Sequence, residues 1–224
     1  MRKYYVLLLF VICLTTTAQM VRPLFSLAID KNTQFENNSF ANLAAGIEVK
    51  FGNLFKPQIE FGYTKALLYD NNTYNDDFQI NAVSQASFVS YSIACTPKLT
   101  VFQTKTRFTS INFLPKYTYS QIVANNDYAA ILPNGDVVLP FKSNQSAANL
   151  HSFGLGIGFC VNFGKKNYDS IAINLYWNNI EYGSVINNLQ NMSRTIDTSS
   201  GVGFGLVYYV SLKDNIEKGF LEPK

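Results

Sequence analysis

The sequence predicts an all-β protein, a closed antiparallel up-and-down transmembrane β-barrel of about eight strands. Three observations carry that prediction. The chain opens like an exported protein, it alternates apolar and polar residues with period two nearly throughout, and its polar positions are small rather than charged.

The N-terminus comes first. Arg2 and Lys3 precede an unbroken apolar run from Val6 to Leu14, followed by Thr15, Thr16, Thr17, Ala18 and Gln19. A positive start, a short apolar core and small residues before a cut define a secretory signal peptide. Thr16 and Ala18 occupy the two positions that a signal peptidase reads. The expected boundaries are therefore a signal peptide over 1–18, a barrel domain over 19–212 and a short periplasmic tail over 213–224. The apolar run is too short to anchor as a spanning helix, and Cys13 follows Ile12 rather than the small residue of a lipoprotein site.

Alternation supplies the strands. Leu43, Ala45, Ile47, Val49 and Phe51 share one face, against Ala44, Gly46, Glu48 and Lys50. Val89, Tyr91, Ile93, Cys95, Pro97, Leu99 and Val101 oppose Ser90, Ser92, Ala94, Thr96, Lys98 and Thr100. The next segment sets Ile111, Phe113, Pro115, Tyr117 and Tyr119 against Ser110, Asn112, Lys116, Thr118 and Ser120. Phe153 to Phe163 and Val202 to Leu212 repeat the pattern, with glycines at 154, 156 and 158 and at 201, 203 and 205 on the small-residue face. The segments fall at roughly 22–30, 41–51, 56–67, 80–102, 107–123, 151–163, 170–181 and 200–212. Short connections (Asn53 to Phe55, Gln103 to Thr106, Gly164 to Asp169) alternate with long Asn- and Asp-rich ones (Lys31 to Phe40, Leu68 to Gln79, Ala124 to Leu150, Tyr182 to Ser199). That asymmetry is the outer-membrane arrangement, with the long loops extracellular. The longest loop holds Pro133, Asn134, Gly135 and Asp136, a hairpin signal.

Composition decides between lipid and water outside the barrel. Charged residues make up 15% of the chain, against about 25% in soluble domains. Aromatic residues also reach 15%, with 18 Phe and 14 Tyr. A soluble barrel shows Lys and Glu outward and buries its large side chains. Here the polar face is Gly, Ser, Ala, Asn and Thr, which suits the narrow lumen of an eight-strand barrel, while the large apolar residues suit lipid. Strict alternation then places Ile93, Leu99, Phe113, Phe159 and Leu206 toward lipid, and Ser92, Thr100, Asn112, Gly156 and Gly205 toward the lumen. Trp177, Tyr182 and strand-end tyrosines suit interfacial girdles. The net charge of +3 is small and dispersed, so nothing points to nucleic acid.

Few residues bear chemistry. The predicted lumen charges are Glu48, Lys50, Glu60, Lys98 and Lys116, all in the periplasmic half, with Glu48 and Glu60 expected near one another across the first turn. One reading is a gate or selectivity ring. The favoured one is a salt-bridge plug that closes the lumen to ions and fixes register, since an unpaired confined charge is costly. No catalytic, cofactor-binding or metal-ligating residues are assigned. The lone histidine, His151, has Phe153 rather than Ser152 on its own face, and no phosphate-cradling glycine loop occurs. Cys95 and Cys160 lie on opposite faces of their strands, so a disulfide between them is not expected. Asn-x-Ser/Thr triplets begin at Asn37, Asn71, Asn144 and Asn191, all in predicted loops.

The ending Thr-Ala-Gln of the leader, the eight-strand pattern and the matched Pro97 and Pro115 resemble the outer-membrane β-barrel proteins common in Bacteroidota, including the PorT-like group. Gly205, Tyr208 and Val210 also resemble the last-strand signal read by the outer-membrane assembly machinery, although the chain continues from Lys213 to Lys224 where such chains often end. The resemblance implies an outer-membrane location and, for the PorT-like group, a role in protein secretion. Expected partners are outer-membrane lipid, the assembly machinery and other envelope proteins. The expected function is thus structural, interaction or assembly, not enzymatic and not a general pore. A secreted soluble eight-strand barrel holding a small apolar ligand is the alternative, and an outer-membrane lipid-modifying enzyme is the third reading.

Overall fold

The structure, a computed structural model, describes residues 20–32, 39–74, 76, 77, 79–132, 136, 142–163, 169–189 and 200–211. The predicted signal peptide and C-terminal tail, Leu212, most of the Pro133–Asp136 hairpin and the 164–168 turn lie outside them, as do Asn37 and Asn191. Eight strands follow one another: β1 (Met20–Lys31), β2 (Ser39–Lys50), β3 (Phe55–Tyr74), β4 (Ile80–Gln103), β5 (Thr109–Ala130), β6 (Lys142–Phe163), β7 (Asp169–Asn179) and β8 (Ser200–Tyr209). Each pairs antiparallel with the next, and β8 returns to β1 through Leu24↔Tyr209 to Lys31↔Val202, so the sheet closes on itself. Closure matters because an open edge in hydrocarbon would leave peptide groups unsatisfied. The described turns at one end are tight: Gly52 (φ 69°) and Arg107 (φ 56°) take the left-handed backbone there.

The faces separate as the alternation requires. Phe25, Phe61, Tyr91, Phe153, Ile157 and Phe204 stand outward, each more than half exposed. Of the residues named above for lipid, Ile93, Leu99, Phe113, Phe159 and Leu206 are all exposed. Thr100, Asn112, Gly156 and Gly205 are buried and Ser92 half-buried in the interior. An apolar surface encircling a closed barrel is far beyond the isolated patches of a water-soluble monomer. Cys95 is exposed outside and Cys160 buried inside, and both thiols are free.

Strand length departs from expectation. The predicted long loops Leu68–Gln79 and Ala124–Leu150 are mostly strand, because β3, β4, β5 and β6 run for 20, 24, 22 and 22 residues. Asn71 and Asn144 therefore lie on strands. A bilayer needs only about 9–11 residues per strand. The continuous outward apolar run of β5 ends at Tyr119 and gives way to Gln121, Val123, Asn125 and Asp127, while that of β6 gives way to Asn149 and Gln145. Beyond this level the four long strands project as a sheet. Pairing of β2 with β3 stops at Ala41↔Lys65, and pairing of β6 with β7 stops at Phe153↔Asn179.

The stretches past Leu67 and Val123 read as loop because they are rich in Asn and Asp. Leu68, Phe88 and Ile122 point inward and are fully buried. They meet the segment after β7, which turns back into the barrel mouth as one helical turn, α1 (Gly183–Ile186). Val185 and Ile186 are fully buried, and Tyr182 packs edge-on to Phe40 with centroids 5.8 Å apart. Tyr182 is thus an interior residue rather than part of an interfacial girdle, and its burial pushes the phenol well above its ordinary pKa.

Candidate functional site: a lumen filled in three layers

The inward side chains stack in three layers along the barrel axis. The layer nearest the short turns is built around Glu48. Register places Arg22 opposite Glu48 and Glu48 opposite Gln58, so three neighbouring strands deliver these groups to one level. Arg22 Nε donates to Glu48 Oε1 at 3.1 Å, and its Nη2 bonds the same oxygen. Lys98 Nζ donates to Glu48 Oε2 at 2.8 Å, and Gln58 Nε2 to that oxygen at 2.9 Å. The Tyr209 hydroxyl accepts from Gln58 at 2.7 Å and from Lys98 at 3.0 Å. Its ring lies under both cations, 4.2 Å from Lys98 Nζ and 4.8 Å from Arg22 Cζ. Arg22 Nη1 reaches across to Ser170 Oγ at 2.8 Å, which donates on to Asn162. Glu48, Arg22 and Lys98 are each at most 2% exposed.

The second layer is a separate pair. Lys116 Nζ donates to Glu60 Oε2 at 3.2 Å and lies 5.0 Å from the Tyr176 ring centroid. Glu60 sits opposite Gly46, two residues above Glu48's partner Gln58. The two carboxylates therefore do not share one cluster as expected: each takes its own lysine. Lys50, the remaining predicted member, stands half-buried at the end of β2 opposite Met20. The glycines of β6 make this layer possible, since a Cβ at Gly156 would lie 2.5 Å from the Tyr176 ring. Above the pair lies a polar cavity of about 60 Å³ lined by Ser26, Asp30, Asn42, Ser92 and Asn178 among others. That volume admits a few waters at most. Asn178 Nδ2 donates to Asp30 there at 3.1 Å. The third layer is the apolar cap of Phe40, Phe88, Ile122, Tyr182, Val185 and Ile186.

Arg22, Asp30, Lys56 and Tyr209 belong to the lumen and were not among the predicted residues. Alternation already sets Tyr209 on the small-residue face of its strand, without giving it a role, while Pro23 and Leu24 obscure the period around Arg22 at the start of β1. The lumen carboxylates Glu48 and Glu60 are held by cations: Arg22 and Lys98 on the first, Lys116 on the second. Ser170 is held between Arg22 and Asn162. His151 stands on the outer face, its Nδ1 2.6 Å from the Tyr117 hydroxyl, across the wall from Ser152. Among the described residues no group of three or more His, Cys, Asp or Glu is placed to hold a metal.

No protein-family model and no curated protein matches the chain. Among solved structures it is similar to Ail, the attachment invasion locus protein of Yersinia pestis, seen in complex with the heparin analogue sucrose octasulfate, at 12% identity and TM-score 0.40, over 85% of this chain and 96% of Ail. Neisserial surface protein A matches at 10% identity and TM-score 0.38, over 86% and 96% of the two chains. A major outer membrane protein from Thermus thermophilus matches at 11% identity and TM-score 0.44, over 84% and 99%. The fold assignment rests on this chain's own strand pairing.

Proposed function

We propose that the protein is an integral outer-membrane barrel that conducts nothing and acts by binding other proteins through its projecting sheet. The apolar outer surface supports the membrane location, and the bonded lumen layers support the absence of a pore. Non-enzymatic action fits a lumen in which Glu48 and Glu60 are each held by a cation. A place in an envelope assembly, such as the secretion role implied by resemblance to the PorT-like group, suits a barrel whose distinctive part lies outside the bilayer.

The observation that carries the interaction reading is the edge of β6 above the membrane. The Asn162 amide donates to Phe108 on the β5 side. Because β6 keeps one register with β5 throughout, its odd-numbered residues direct their peptide groups the other way. Beyond Phe153, among the described residues, that side has no strand to pair with, so Ser143, Gln145, Ala147, Asn149 and His151 offer a row of amides and carbonyls. Natural edges are protected by charge, proline or a bulge. The opposite edge, on β3, has a bulge at Leu67/Tyr69. From Ser143 to Leu150, β6 has neither charge nor proline nor bulge. Such an edge accepts an extended polypeptide as an added strand.

A peptide copying residues 119–129, the native antiparallel partner of β6, serves as a probe for that edge. Fluorescence anisotropy with the full protein in nanodiscs should show saturable binding that Ala147→Pro abolishes, since proline there removes an outward amide at little cost to the fold. Absence of binding, or binding unchanged by the proline, would contradict the reading.

A further inference from the structure

The wall itself contains a second site. The Thr100 amide donates to Leu54 on the β3 side, so odd-numbered residues of β4 direct their peptide groups to β5. The Phe108 carbonyl, facing β6, likewise sends odd-numbered residues of β5 toward β4. Cys95↔Tyr117 and Leu99↔Phe113 are therefore hydrogen-bonded rungs of one register, and the rung between them is Pro97 against Pro115. Neither proline has an N–H. Both bonds of that rung are missing, and β4 forms no pairing with β5 from Thr96 to Lys98. The seam is unbonded for about 13 Å, four residues at 3.3 Å each. Two carbonyl oxygens face each other across it with no amide to receive.

The seam lies at the middle of the apolar belt. The outward apolar run of β5 spans Ile111 to Tyr119, with Pro115 at its centre, and that of β4 spans Val89 to Val101, with Pro97 in its interior. Orphan carbonyls are costly at that depth, where lipid tails donate nothing. On the lipid side, a groove of about 400 Å³ opens over the seam, walled by Tyr117, Phe153, Leu155 and Trp177 with the two prolines in its floor. Lys116 lines both this groove and the inner cavity.

We propose that this groove binds a lipid chain carrying a hydroxyl or amide donor along its length, the chain lying between the aromatic walls and the donor bonding one of the two proline carbonyls, Pro97 or Pro115. This rests on the outer-membrane reading above. A shallow apolar groove alone would take any acyl chain; the paired acceptors in its floor discriminate in favour of a donor, because a site built to bond a polar group leaves its own groups unpaired with the analogue lacking it.

The probe is a phosphatidylcholine bearing a 12-hydroxystearoyl chain, compared with its stearoyl counterpart at equal trace content in nanodiscs holding the full-length mature protein. Native mass spectrometry of the released barrel reads which lipid is retained. The wild type should retain the hydroxylated lipid at least about tenfold over its counterpart, a difference of about 1.4 kcal/mol. Pro97→Val with Pro115→Val restores the rung and should bring the ratio to unity. Leu155→Trp, which fills the groove and leaves the seam intact, should lower retention of the hydroxylated lipid to the same level. Equal retention by the wild type overturns the proposal and assigns the carbonyls to water from the lumen side. A preference that survives both variants also overturns it, by placing the selectivity elsewhere. A barrel that does not enter the nanodisc at all fails the membrane reading instead, and takes this proposal with it.

Discussion

Replacing Glu48 by glutamine and Lys98 by methionine should have very different costs, although the two residues form one salt bridge. Among the described residues Glu48 is the anion bonded to two cations, Arg22 and Lys98, and all three are essentially removed from solvent. Counting these three groups, the native layer carries −1 +1 +1, a net +1. Glu48→Gln raises that to +2 and leaves two buried cations facing an amide, a broken buried pair worth about 3–5 kcal/mol. Lys98→Met lowers the net to zero and leaves Glu48 with Arg22 and Gln58. It loses the bonds to Glu48 and Tyr209, at 2.8 and 3.0 Å. Each charge-assisted bond contributes about 1.5–3 kcal/mol, but the ammonium's own desolvation penalty of several kcal/mol disappears with it. The net cost should be about 0–2 kcal/mol. Once Lys98 is gone, Glu48→Gln strands one cation instead of two, so the double variant should cost less than the sum of the singles. Urea unfolding in lipid vesicles, followed by the fluorescence of Trp177, the sole tryptophan, reads all four proteins. A Lys98→Met variant as damaged as Glu48→Gln would refute the charge accounting.

Three other outcomes follow from the same geometry. Leu206→Arg, on the lipid face, should cost about 2–4 kcal/mol in that assay, while Gln121→Arg, above the apolar belt, should cost no more than about 1 kcal/mol; equal costs would misplace the membrane boundary. Ile186→Ala removes a fully buried cap residue, worth about 2–5 kcal/mol, and should speed amide exchange over residues 183–189 without affecting β5 or β6. Exchange accelerating equally in the strands would mean the cap is not an independent layer. Alkylating the denatured, unreduced mature protein should add two groups by mass, one each at Cys95 and Cys160, and a product lacking both additions would reveal a disulfide.

Much of this architecture is legible in the residues because the governing period is two. Phe159 and Gly156, or Leu206 and Gly205, declare opposite sides of the wall by size alone, and most large side chains meet lipid, with Leu24, Leu114, Tyr176 and Tyr209 the inward exceptions. That rule fails above the membrane. There Phe88, Ile122 and Leu68 turn inward to cover Tyr182 and Ile186, so size no longer marks the lipid side, and the Asn- and Asp-rich stretches past Leu67 and Val123 read as loops. The cap is a long-range packing event between a segment after β7 and strands far earlier in the chain, which no local pattern encodes. Within the lumen, Lys98 and Lys116 stand out against small neighbours. Arg22 does not, because Pro23 and the inward Leu24 break the alternation beside it, and Tyr209 is hidden among Val207, Tyr208 and Val210. Partner choice depends on register between distant strands. Only that register shows that Glu48 stands opposite Gln58 and Glu60 opposite Gly46, and so that two carboxylates close in sequence belong to different layers.

The central claim is that the large side chains face lipid and the small polar ones a filled interior. Trp177 tests it without mutation, since it is exposed on the outer face of β7 beside Leu155. With the protein reconstituted into vesicles of phospholipid brominated along the acyl chains, Trp177 fluorescence should be strongly quenched relative to unbrominated vesicles, while aqueous iodide leaves it nearly unchanged. Fluorescence indifferent to the brominated chains and quenched by iodide would contradict the account and place the barrel in water.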